Sequence, residues 1–170
     1  KNRTGTVASH HFYDSVRGAN AFIKSNTNDA ENSSRTDMLK SFDAGGFTLG
    51  ADASEEAINK DNDTYVAWSW KSGGAPTADN SASAGATPTA GSFKIDGANR
   101  SDSHPGTIKT IRGTANTKAG FAILKYNGGD SDTTLGTGLT IPTGTNALAI
   151  IKKTSANNDW HVSYEVAGTI

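Results

Sequence analysis

The sequence contains no cysteine, so a disulfide framework, a thiolate metal site and a cysteine nucleophile are all excluded. It is also short of apolar residues, with 34% hydrophobic over 170 residues and a single methionine. A helical bundle of this length would need many more apolar positions to fill its interior, so the composition points to a thin, sheet-like core. An excess of either charge is missing as well: sixteen Lys and Arg stand against seventeen Asp and Glu, for a net charge of −1, and neither sign forms a block. That removes the usual electrostatic ground for expecting a nucleic-acid or membrane partner. No apolar run approaches the roughly 18 residues that cross a bilayer, and no signal peptide is visible. The chain starts at Lys1 without a methionine and stops on Ile170, which reads as a segment of something longer.

Catalytic signatures are lacking too. There is no Gly-x-Ser-x-Gly elbow, no phosphate loop and no His-Glu-x-x-His, and carboxylates such as Glu55 and Glu56 lie in polar stretches rather than opposed across a cleft. The expectation is a protein that is not an enzyme.

What is present is Gly, Ser, Thr, Asn, Asp and Ala in the mixture expected of many short strands joined by turns. Aromatic mass concentrates at residues 64–71, where period-two alternation puts Val66, Trp68 and Trp70 on one face and Tyr65, Ala67, Ser69 and Lys71 on the other. Further strands are predicted at 10–14, 21–24, 93–95, 107–111, 120–126, 147–152 and 160–166. A hairpin is predicted from 38–43 into 47–50 around Gly45-Gly46, and another from 120–126 through Asn127-Gly128 into 133–139. Residues 26–37 read as a solvated loop and 51–63 as a polar connection. Residues 72–91, built of Gly, Ala, Ser, Thr and Pro, read as a linker or long exposed loop. The fold expected is all-β, an antiparallel sandwich with few or no helices.

Four aromatic or imidazole side chains are candidates for carbohydrate contact. Trp68 and Trp70 read first as core, alternating with small residues, and second as faces for sugar rings. Trp160, with His161, follows a polar turn and is the better candidate for an exposed stacking residue. Asp61 with Asp63, and Asp130 with Asp132, are closely spaced carboxylate pairs that suggest Ca²⁺, and both sit where Asp and Asn serve turns. Otherwise no cofactor is expected. The adjacent His10 and His11 face opposite ways on a strand and do not make a metal pair. Asn-x-Ser/Thr triplets at Asn2, Asn32, Asn62 and Asn99 are expected by chance in such a composition.

Laying the last twenty residues on the first twenty at an offset of 150 pairs Thr154 with Thr4, His161 with His11, Val166 with Val16 and Gly168 with Gly18. This is the pattern of a repeating module cut partway through. The runs Tyr13-Asp14-Ser15-Val16-Arg17-Gly18-Ala19, Leu39-Lys40-Ser41-Phe42-Asp43 with Gly46-Phe47-Thr48-Leu49-Gly50, and Tyr65-Val66-Ala67-Trp68-Ser69-Trp70-Lys71 resemble the second half of a domain common in large structural proteins of marine bacteriophages and cyanophages. Residues 120–128, 135–139, 150–152 and 159–162 resemble that domain's first half. The resemblance implies a concanavalin-like or laminin-G-like jelly-roll sandwich. It divides the chain into half a module (1–71), a linker or extended loop with short strands (72–118) and half of the next module (119–170). It also implies a virion component, in a tail fibre, appendage or capsid surface. Such a component would self-associate as a homo-oligomer, a trimer or a repeating assembly, beside other virion proteins, and would contact host-surface glycan. A free lectin-like module is the alternative.

Overall fold

In the computed structural model, residues 8–51 and 58–166 are described. The triplet at Asn2, the carboxylates Glu55 and Glu56, and the echo partners Thr4 and Gly168 lie outside them. The strands are β1 His11–Asp14, β2 Gly18–Lys24, β3 Leu39–Asp43, β4 Gly46–Leu49, β5 Phe93–Ile95, β6 Ala98–Asn99, β7 Thr110–Asn116, β8 Phe121–Tyr126, β9 Asn146–Lys152 and β10 Trp160–Val166. The fold is all-β, with no helix among the described residues. The chain divides into two compact units: residues 1–69 with 141–170, and residues 70–140.

The first unit is built from three antiparallel hairpins, β1–β2, β3–β4 and β9–β10. Asp14 sets the first turn. Its carboxylate accepts hydrogen bonds from the backbone N–H of Val16 at 3.0 Å and of Arg17 at 2.9 Å, and Gly18 takes the positive φ of 92° needed to re-enter the sheet. Three consecutive residues of β2, Ala21, Phe22 and Ile23, are buried, so both faces of this strand are covered. Val16, Met38 and Leu39 complete the apolar centre. The His11 ring meets Phe22 edge-on at 4.7 Å, and the Tyr13 hydroxyl donates to the Met38 sulfur. β3 and β4 pair around Gly45-Gly46 as the sequence predicts, with Phe42 opposite Phe47. β9 and β10 pair over seven uninterrupted positions.

The second unit centres on a four-stranded sheet in the order β6-β5-β7-β8, in which β5 and β7 run parallel and the other pairs antiparallel. Phe93, Thr114 and Ala115 are its buried heart. Gly113 lies against the Phe93 ring, where a Cβ would collide with it, and at Gly138 (φ 76°) an added Cβ would meet the same ring at 2.9 Å. Glycine is there because the ring needs the room.

The structure corrects four expectations. Residues 64–71 do not run as a strand, and Trp68 and Trp70 are 66% and 63% exposed rather than core. Alternation makes a strand only when a neighbouring strand takes up the ladder, and here the boundary between the two units falls after Ser69. Residues 133–139 do not return on β8. β7 pairs with it instead, through a turn in which Asn116 caps Ala119 and Gly120 takes a φ of 62°, so the hairpin lies on the other side of β8. Leu135 makes only an isolated bridge to Gly106. The strand expected at 107–111 sits later, as β7. Residues 72–91 carry no strand, yet they are not a solvated linker: the backbone N–H of Thr77 bonds to Gly91 and that of Asn80 to Ile111, and Asn80 is buried.

Candidate functional site

The side chains singled out from the sequence are not gathered into one place. Trp68 belongs to the first unit and Trp70 to the second, and both are solvent-facing. Trp160, expected to be an exposed stacking residue, is half-buried instead. Its indole N–H donates to the carbonyls of Lys24 and Thr27, each at 3.1 Å, and its ring meets Phe12 edge-on at 5.9 Å. The indole end that a ligand would hydrogen-bond is therefore already in use. His161, its neighbour on β10, is exposed. Asp61 accepts from Asn62, which has a φ of 65°, so this carboxylate serves its own turn. Asp130 and Asp132 lie exposed on a loop. Among the described residues no group of three or more His, Asp or Glu side chains comes together as a metal set.

Two arrangements emerge that the sequence reading did not pick out. The first is a shallow, open hollow of about 510 Å³ in the first unit, bordered by Lys24, Asp29, Glu31, Asn32, Ser34 and Asn157. Its walls are fixed from both sides. Phe22 and Asn32 exchange backbone hydrogen bonds at 2.9 and 3.0 Å. The Glu31 N–H donates to Thr154, the Asn158 N–H donates to Asn28, and the Asn157 side chain accepts from Ala30 at 3.0 Å. Lys24 Nζ stands 3.4 Å from Asp29, and Arg17 Nη1 stands 3.5 Å from Glu31 Oε2. The Arg17 side chain is 8% exposed, and its Nε donates to Asp14 at 2.6 Å. Neither Arg17 Nη1 nor Glu31 Oε2 has a hydrogen-bond partner. Residues 26–37 looked like plain solvated loop because every one of these groups is polar. The available signal was the close spacing of Asp29, Glu31 and Asn32.

The second is a buried polar cluster in the second unit. Arg100 grips Asp102 with Nε and Nη2 at 3.0 and 3.2 Å, lies over the Phe93 ring at 5.4 Å, and places Nη1 3.2 Å from His104 Nδ1. A guanidinium can only donate, so His104 Nδ1 accepts and Nε2 carries the proton, donating to Thr110 Oγ1 at 2.9 Å. Burial first, and then the Arg100 charge, hold His104 below the ordinary histidine value.

Fold and site together define an all-β protein with a polar hollow and exposed aromatic and aliphatic side chains. Residues 1–94 match the family described as a domain of unknown function (DUF7483), and with more than half of its length matched the chain belongs to that family. No curated protein and no solved structure matches the chain.

Proposed function

We propose that this chain is a structural component of a phage particle, in a tail fibre, appendage or capsid surface, and that it works by self-association of its β modules into a jelly-roll-like sandwich completed between copies. The observation that carries the reading is one face of the β9–β10 ribbon. Ile150 stands opposite Val162 and Leu148 opposite Tyr164, so these four side chains share a face, and each is between 57% and 65% exposed. A lone two-stranded ribbon is marginal in water, and burying a large apolar side chain is worth about 1.5–3 kcal/mol, so this face gains from cover.

A second copy is the occupant best supported. By the offset of 150, β10 falls on the sequence of β1, and β1 is paired by a following strand, β2, whereas β10 is paired only by the preceding one among the described residues. The same face is already closed over its own unit at Trp160, one rung further along. The segments that resemble phage structural domains in the first half of the chain also lie within the matched residues 1–94.

Sedimentation across the micromolar range is the test. The reading expects a mass that is a multiple of 17.6 kDa, falling to one copy in Val162→Glu. A wild-type chain that stays a folded single copy throughout contradicts it. The second reading, a free lectin-like module, is favoured by the exposed indoles of Trp68 and Trp70. It expects saturable glycan binding by a single copy that is lost in Trp68→Ala or Trp70→Ala.

A further inference from the structure

We propose that Asn127 is a site of spontaneous chemical modification, at which the side-chain amide is converted to aspartate and isoaspartate. Asn127-Gly128 is the one Asn-Gly pair in the sequence, and the fold does not use it as the hairpin turn that such a pair predicts. β8 ends at Tyr126, and residues 127–134 continue as an exposed loop with no strand. Among the described residues the Gly128 N–H and the Asn127 side chain make no hydrogen bond, so the backbone nitrogen and the neighbouring amide are both left to solvent.

That freedom permits one reaction. The Gly128 nitrogen gives its proton to hydroxide and attacks Asn127 Cγ; a C–N bond forms, the Cγ–Nδ2 bond breaks, and ammonia leaves with a proton from water, which closes a succinimide ring. Water then opens the ring at either carbonyl, giving aspartate or isoaspartate, with no change of oxidation state. Glycine in the second position favours closure because no Cβ crowds the attacking nitrogen. Other asparagines are held back by their partners. Asn80 donates to the Thr110 carbonyl and accepts from Ala82 and Thr89, and Asn116 donates to the Lys71 carbonyl and accepts from Ala119. An amide fixed on both sides in this way must break those bonds before it can swing onto the next nitrogen. Either product places a further carboxylate in a loop that already carries Asp130 and Asp132, and makes the net charge of −1 one unit more negative. Isoaspartate also lengthens the main chain just beyond the end of β8.

The inference goes beyond self-association and differs from it in place, since Asn127 lies in residues 70–140 and the β9–β10 face in the other unit. The intact chain is held for several days in warm, mildly alkaline buffer, and its peptides are mapped by mass with a fragmentation that separates aspartate from isoaspartate. Asn127 is expected to convert ahead of every other asparagine and to give both products. Gly128→Ala is expected to slow the conversion about tenfold and to leave the fold unchanged, because a Cβ at Gly128 meets nothing within 4 Å. The same map made in guanidinium chloride reads what the structure contributes. Unfolding is expected to change the rate at Asn127 by less than about threefold, while Asn80 and Asn116 accelerate about tenfold or more. The inference is overturned if another asparagine converts first in the folded chain, if aspartate forms without isoaspartate, if Gly128→Ala converts as fast as the wild type, or if Asn127 converts only in denaturant.

Discussion

Arg100 and His104 place a permanent cation beside a neutral ring nitrogen in the interior of residues 70–140, and that contact has a pH signature. Protonating His104 would set two cations 3.2 Å apart in a buried site. Because the folded value lies below the ordinary 6.5, the unfolded chain takes up the proton first. The contribution is complete above about pH 6.5 and is lost as pH falls through the lower folded value. Urea midpoints are therefore expected to drop between about pH 7.5 and about pH 5, and the drop is expected to flatten in His104→Gln. A separate and more acidic loss belongs to the aspartates. Hydrogen bonds from Thr117 hold Asp96 below the usual carboxylate range, and those from Thr48 and Ser41 do the same for Asp43, so their contribution persists until pH falls below about 4. Gly113 makes a second residue-scale test. A methyl group there meets the Phe93 ring, and Gly113→Ala is expected to cost about 1–3 kcal/mol by denaturant unfolding.

Among the elements, residues 72–91 depend most on one side chain. Asn80 donates from Nδ2 to the Thr110 carbonyl and accepts at Oδ1 from the N–H of Ala82 and of Thr89, each at 3.0 Å. Asn80→Ala leaves the buried Thr110 carbonyl and two part-buried N–H groups unpaired and is expected to cost about 2–4 kcal/mol, with early loss of protection in β7 by hydrogen exchange. This is also why the segment misled a reading from composition: a buried amide can order a loop that has almost no apolar surface, and hydrophobic patterning does not register it. The β3–β4 hairpin, β5, β8, β9 and β10 were legible, because period-two apolar runs next to Gly or Asn turns leave few other options. β7 runs past the expected 107–111 because its buried residues include Thr114 and Asn116, polar side chains that break the apolar pattern. The sequence places Trp68 and Trp70 in the core because they alternate with small residues, while their exposure shows that the alternation over residues 64–71 does not become a strand, a tertiary fact. The hollow beside β2 is not legible for a related reason: one of its walls, Asn157, is distant in sequence and is brought to Ala30 by the loop between β9 and β10. Trp160 anchors that loop, and Trp160→Ala is expected to cost about 3–5 kcal/mol, with the loss concentrated in the β9–β10 ribbon.

At the scale of the whole molecule, among the described residues, the interior of residues 70–140 is largely polar, with Asn80, Arg100, His104, Thr110 and Asn116 buried, while in the other unit Leu148, Ile150, Val162 and Tyr164 face solvent. This exposed apolar area is the surface that the proposed self-association would cover. Val162→Glu puts a charge into the middle of that face and is expected to weaken association at least tenfold while leaving the fold intact, because the position is already solvent-facing. The most direct measurement is amide hydrogen exchange as a function of protein concentration. Protection of β9 and β10 should rise with concentration and remain flat in Val162→Glu. Exchange in these two strands that is independent of concentration in the wild type, or protection that rises elsewhere instead, contradicts the account.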